Sequence, residues 1–147
     1  MLRFLRSLFR FTPLHLRHMG FVREVQGIQR RYRHCKKFWA DHVERCRSLI
    51  LRASDGCERR RKAVILGAGL LHDVPLKELS GRFREVVLVD VVHAVGSRWR
   101  TRVFGNVTHF PADITDSLEA VYEAGRDGAI PLPPSKPSLF LGAPEIA

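Results

Sequence analysis

Two apolar runs set one helix apart constrain this chain more than any other feature. "AVIL" (63–66) is a short buried-strand run, and "EVVLVDVV" (85–92) is nearly all β-branched and apolar, as a central parallel strand should be. Between them, "PLKELSGRF" (75–83) reads as a helix with Asp73 as its N-cap and Pro75 in its first turn. Strand, helix and strand in that order predict parallel pairing. "TRVFGNVTHF" (101–110) offers a third strand interrupted by Gly105, and "DSLEAVYEA" (116–124) a further helix with Leu118, Val121 and Tyr122 apolar. The expected fold class is therefore α/β: a parallel sheet with flanking helices, preceded by a basic helical region.

That basic region and the α/β unit are physically different objects. The chain of 147 residues carries a net charge of +10. Residues 1–62 hold 17 Lys+Arg against 5 Asp+Glu, a balance of 17 − 5 = +12, and residues 63–147 hold 8 against 10, or −2. Such an asymmetry points to an acidic partner, RNA or a membrane surface for the Arg-rich part. Between residues 21 and 53 the positions Val25, Ile28, Tyr32, Cys35, Trp39, His42, Cys46, Leu49 and Ala53 lie at steps of three and four. They predict one face of a long helix, or of two helices in register. Arg30, Arg31, Arg33, Lys36, Lys37, Arg45 and Arg47 crowd the opposite face. A helix of this kind must cover something apolar, and the simplest target is the α/β unit next in the chain. Cys35, His42 and Cys46 share the seam, but the paired Cys-x-x-Cys spacing of a structural zinc site is missing, so no metal site is expected.

The domain plan is a basic helical region (1–61), an α/β unit (62–128) and a tail (129–147) rich in proline. Residues 2–11, "LRFLRSLFRF", place Leu2, Leu5 and Phe9 apart from Arg3, Arg6 and Arg10. That pattern fits a short docked helix, a membrane-surface helix or a mitochondrial presequence. Three cysteines with no paired framework suit a reducing compartment. No run approaches the roughly 18–20 apolar residues of a membrane span. A cytoplasmic location is expected, with the mitochondrial matrix as the alternative.

The first strand ends in "GAG" (67–69), and Asp90 closes the second strand 21 residues after Gly69. An acid there is placed to take the ribose hydroxyls of a nucleoside. Asp113 comes after the third run in "FPAD" and faces the same crevice. With these residues in view the chain resembles the class I S-adenosylmethionine-dependent methyltransferases. "VILGAG" looks like their first motif, "VVLVD" like the second and "ADIT" like the acidic third. The resemblance implies a Rossmann-type sheet and S-adenosylmethionine as cofactor. Gly67, Ala68 and Gly69 would pass under its methionine part, Asp90 would hold the ribose, Val91 and Val92 would pack on the adenine, and Asp113 would sit beside the adenine amino group.

The resemblance covers about residues 62–124, and the family pattern is not kept everywhere. Ile65 stands where an acid is usual, and Leu71 where a third glycine is usual, so that Leu71 is expected to narrow the cleft. The family's later strands have no counterpart before Ala147, and the chain reads as the N-terminal half of such a protein or a truncated form. An NAD(P)-binding Rossmann protein is the alternative, although His72 occupies the last glycine of Gly-x-Gly-x-x-Gly and Tyr122 is followed by Arg126 where a Tyr-x-x-x-Lys would need lysine. A non-enzymatic basic interaction module is the other alternative. His72 is expected either at the cleft or in solvent, and His93 as a loop residue. "GSRWRTR" (96–102) reads as a base or phosphate clamp, or as an arginine-studded edge strand.

Overall fold

A computed structural model describes residues 12–128. Within them lie helices α1 (Leu14–His18) and α2 (Phe21–Asp55), strand β1 (Lys62–Leu66), helix α3 (Leu76–Arg82), strand β2 (Glu85–Asp90), helix α4 (Val95–Thr101), strand β3 (Val107–Pro111) and helix α5 (Leu118–Arg126). The arginine-rich run 2–11 and the tail from 129 onward lie outside the described residues. No helix among the described residues is long and apolar enough to cross a membrane.

The three strands form one parallel sheet in the order β1-β2-β3. Val64 lies opposite Val87, and Val87 opposite Thr108. Alternation along each strand sends one set of side chains to each face. Ala63, Ile65, Val86, Leu88 and Val107 pack with Leu71, Leu76, Leu79 and Phe83 into a single core, joined by Ile50 from α2 and Phe104. On the opposite face Val64, Leu66 and Phe110 are exposed. The central strand is therefore sealed on its helix side, where Val86 and Leu88 are fully buried, and only partly covered on the other.

Helix α2 spans 35 residues, about 52 Å at 1.5 Å per residue. The expected seam holds from Val25 through Trp39, then moves by one position. Val43 and Ser54 are buried and Ile50 packs on the core, whereas His42, Leu49 and Ala53 are exposed. Alternating steps of three and four average 3.5 residues, and a straight helix turns every 3.6. The mismatch of about 20° per heptad accumulates to nearly one residue's rotation over four heptads. The C-terminal end of α2 is held by Arg82 of α3, which donates to the Leu51 carbonyl at 2.9 Å and pairs with the Asp55 carboxylate at 2.7 Å. The Leu51 carbonyl also accepts from the Ser54 hydroxyl at 2.7 Å, so the guanidinium ties an already bonded last turn of α2 to α3.

Two local expectations are corrected. Pro75 is the N-cap position of α3, with no side-chain cap, so Asp73 does not cap this helix. Residues 95–101 form a helix, not part of a strand, and β3 begins only at Val107, after Gly105. The alternation of Arg98, Arg100 and Arg102 suggests a strand. Ser97 and Thr101, one helical turn apart, are the buried positions, and they fix the helix by placing a common face against the body.

Candidate functional site

The glycine turn lies at the C-terminal end of β1, next to the end of β2. Gly67 and Gly69 adopt φ of 69° and 47°, a region that costs other residues about 1 kcal/mol or more. Between them Ala68 is buried, and its N–H donates to the Val89 carbonyl at 3.1 Å, continuing the sheet ladder by one bond. The next N–H, from Gly69, donates to Oδ2 of Asp90 at 2.7 Å. Oδ1 of Asp90 accepts from the Val92 N–H at 3.1 Å. The carboxylate is thus held between two loops with one backbone donor on each oxygen. An ionised carboxylate has about four acceptor positions, so capacity remains for two hydroxyl donors. Nothing lies within 4 Å of where a Cβ on Gly67 would stand, which leaves the turn open above the strand end.

Leu71, expected to narrow the cleft, does not enter this crevice. Its side chain is 1% exposed and belongs to the core. Its backbone takes φ of 57°, so a non-glycine residue accepts left-handed strain to put an apolar side chain under the turn. The loop beyond it is tied down from two helices. Arg47 of α2 donates to the His72 carbonyl at 2.8 Å, and Arg100 of α4 donates to the Leu70 and Leu71 carbonyls at 3.2 Å each. The His72 ring stacks on Tyr32 of α2, with centroids 3.6 Å apart and planes 11° from parallel. Burial, then the Arg100 charge, lowers the His72 pKa against the opposing pull of Asp73. His72 therefore joins the long helix to the glycine loop.

Val91 lines a cavity of about 240 Å³ with Pro111, Ala112 and Asp113. Its other wall is α1, through Pro13, His15 and the buried Leu16. The position of α1 is fixed by His18, whose Nδ1 lies 2.7 Å from the Tyr122 hydroxyl of α5. Asp113 lies at this cavity but is occupied by its own turn. Oδ1 accepts from the Thr115 N–H and hydroxyl, and Oδ2 from the Ser117 and Leu118 N–H groups, all at 2.6–2.9 Å. Slight burial pushes its pKa up, but these four donors, led by the Thr115 hydroxyl, hold it down at about 2. An adenine amino group would have to displace one of them.

Behind Asp90, His93 and His109 meet edge to face, with ring centroids 4.5 Å apart. His93 is 8% exposed, and neither of its ring nitrogens has a partner among the described residues. His109 Nε2 lies 2.8 Å from the Thr101 hydroxyl. Burial, the neighbouring His93 and the Arg98 charge lower the His109 pKa to about 4. Burial lowers the His93 pKa as well, so both shifts favour the neutral ring. His42 and Cys46 approach to 3.6 Å, and among the described residues no group of three or more His, Cys, Asp or Glu side chains is arranged to hold a metal ion.

The structure thus ties Ala68 to Val89 and Gly69 to Asp90 by hydrogen bonds across the turn that Gly67 opens, and places Val91 and Asp113 at one cavity. His109 and Leu16 escape a reading of the sequence alone. His109 stands at an inward position of β3, opposite Leu88, and alternation from Val107 would have marked it as a polar group facing the core. Leu16 carries no local signal, because its burial depends on distant segments. No family model, curated protein or solved structure matches this chain.

Proposed function

We propose that the chain binds a nucleoside-bearing cofactor, best matched by S-adenosylmethionine, as a methyltransferase-like protein. The observation that carries the reading is the Asp90 carboxylate, fixed by the Gly69 and Val92 N–H groups at the ends of adjacent parallel strands, with acceptor positions left for a ribose diol. The open turn at Gly67 accommodates the amino-acid part. The cavity beside Val91 is smaller than the roughly 300–1,000 Å³ of a complete small-molecule site, and suits one planar base. On this reading Asp113 shapes the turn around the base, and its carboxylate is not the base's main acceptor.

A dinucleotide is supported less well. Its pyrophosphate needs a helix N-terminus at the glycine turn, and α3 begins at Leu76, seven positions after Gly69. Methyl transfer from a bound sulfonium relies mainly on proximity and alignment of the acceptor, so the reading requires no acid–base pair in the chain. The acceptor is not specified by these residues.

Calorimetric titration with S-adenosylhomocysteine tests the reading, with NADH as parallel ligand and Asp90→Ala as control. Saturable S-adenosylhomocysteine binding, lost in the variant, is expected. Binding of NADH alone would replace the proposal with the dinucleotide reading, and binding of neither by folded protein would overturn both.

A further inference from the structure

We propose that the outward face of α2 between Val25 and Ala40 binds single-stranded nucleic acid. No acid occurs between Glu24 and Asp41, whereas Arg30, Arg31, Arg33, Lys36 and Lys37 all fall there. All five are exposed. Arg31 pairs with Glu24, and the other four make no ion pair among the described residues. The five cations fall within eight helical residues, a track about 11 Å long between the outermost Cα atoms. The track is held beside the glycine loop because Tyr32, on the body side of the same helix, stacks on His72.

The chemistry of the partner is set by what this face presents. Phosphates meet the cations. Phe38, on the same helix, is 88% exposed and lies one turn from His34 and two turns from Arg31. A ring on the flank of the cationic face can stack on an unpaired base, while the bases of a duplex are already stacked on one another. A membrane surface fits less well. A helix lying in a bilayer interface needs a continuous apolar stripe facing the lipid, and here Val25, Ile28, Tyr32, Cys35 and Trp39 are half-buried along the other side.

The test is fluorescence anisotropy of the full chain with a labelled, mixed-sequence 20-nucleotide RNA, titrated at several KCl concentrations. Saturable binding is expected, with a log–log salt slope of about −3, from roughly 0.7 per phosphate neutralised on a single strand. Replacing Arg30, Arg33, Lys36 and Lys37 together by Gln is expected to weaken binding by about 100-fold or more and to flatten the slope, with helicity retained because Gln is nearly as good a helix former. Phe38→Ala should weaken binding about tenfold at unchanged slope. A charge-matched control, with Arg59, Arg60, Arg61 and Arg126 replaced by Gln, should bind as the parent does, and so should Asp90→Ala, which separates this proposal from the cofactor reading. Equal loss in the charge-matched control, an unchanged affinity for Phe38→Ala, equally tight binding of a duplex, or binding to phosphatidylglycerol vesicles in place of RNA would each overturn it.

Discussion

The Asp90 carboxylate and the Gly69 N–H meet at 2.7 Å, across the gap between the ends of two parallel strands. The bond fixes the path of the glycine turn and the orientation of the acid together. Replacing Asp90 by Ala removes acceptors for two backbone donors. Hydrogen bonds to a charged group contribute about 1.5–3 kcal/mol each when buried, and this site is half-buried, so a stability loss of about 1–2 kcal/mol in urea unfolding is expected. Asp90→Asn keeps the shape and one acceptor oxygen. It should recover part of the stability but little of any ribose affinity, which titration of the two variants will separate.

Leu71→Gly would remove both the left-handed strain and the buried side chain at this position. Relief of the left-handed backbone offers about 1 kcal/mol. Loss of a fully buried leucine costs at least the 2–5 kcal/mol of a Leu→Ala change. The variant is expected to be less stable by about 2–3 kcal/mol, measured as a lower urea midpoint. An unchanged midpoint would mean that the side chain contributes little to the core.

Arg100 ties the Leu70 and Leu71 carbonyls to α4. Arg100→Met keeps the aliphatic stem but removes the donors. Because Arg100 is largely exposed, the global stability change should stay under about 1 kcal/mol. The loop itself should loosen, seen as faster hydrogen exchange at residues 69–72 and weaker S-adenosylhomocysteine binding. A global loss without local change in exchange would contradict this assignment.

The lowered pKa of His109 makes a pH prediction. Its folded value of about 4 lies below the ordinary 6.5, so between these pH values the unfolded chain binds more protons. Stability from this group is full above about pH 6.5 and is lost as the pH falls towards 4. His93, also lowered by burial against the pull of the Phe110 backbone and of Asp90, acts in the same direction. His109→Gln should flatten the slope of unfolding free energy against pH in that window. An unaltered slope would show that these rings carry no part of it.

The features legible in the sequence are those that depend on neighbours along the chain. β1 and β2 fall within the runs 63–66 and 85–92 extended by a residue or trimmed by two, because apolar β-branched runs leave few other conformations. The turn glycines take positive φ where a strand must end abruptly. The start of β3 is obscured because Val103 and Phe104 continue the apolar pattern, although Phe104 packs on the core before the strand begins. Asp73 has the right chemistry for a cap, but Pro75 delays the helix beyond its reach. The seam of α2 departs from its sequence pattern only after Trp39, once helical drift has accumulated. Contacts such as Tyr32 on His72 and α1 over Val91 join segments 40 or more residues apart, and no local pattern encodes them.

The exposed face carrying Val64, Leu66 and Phe110 has a consequence for handling the protein. Among the described residues β1 is hydrogen-bonded along one side only, so its other side presents a row of backbone donors and acceptors beside an apolar surface. A sheet margin of that kind templates further strands. Concentrating the chain therefore favours edge-to-edge pairing of sheets, and a lysine at Val64 would act as a gatekeeper against it without touching the core.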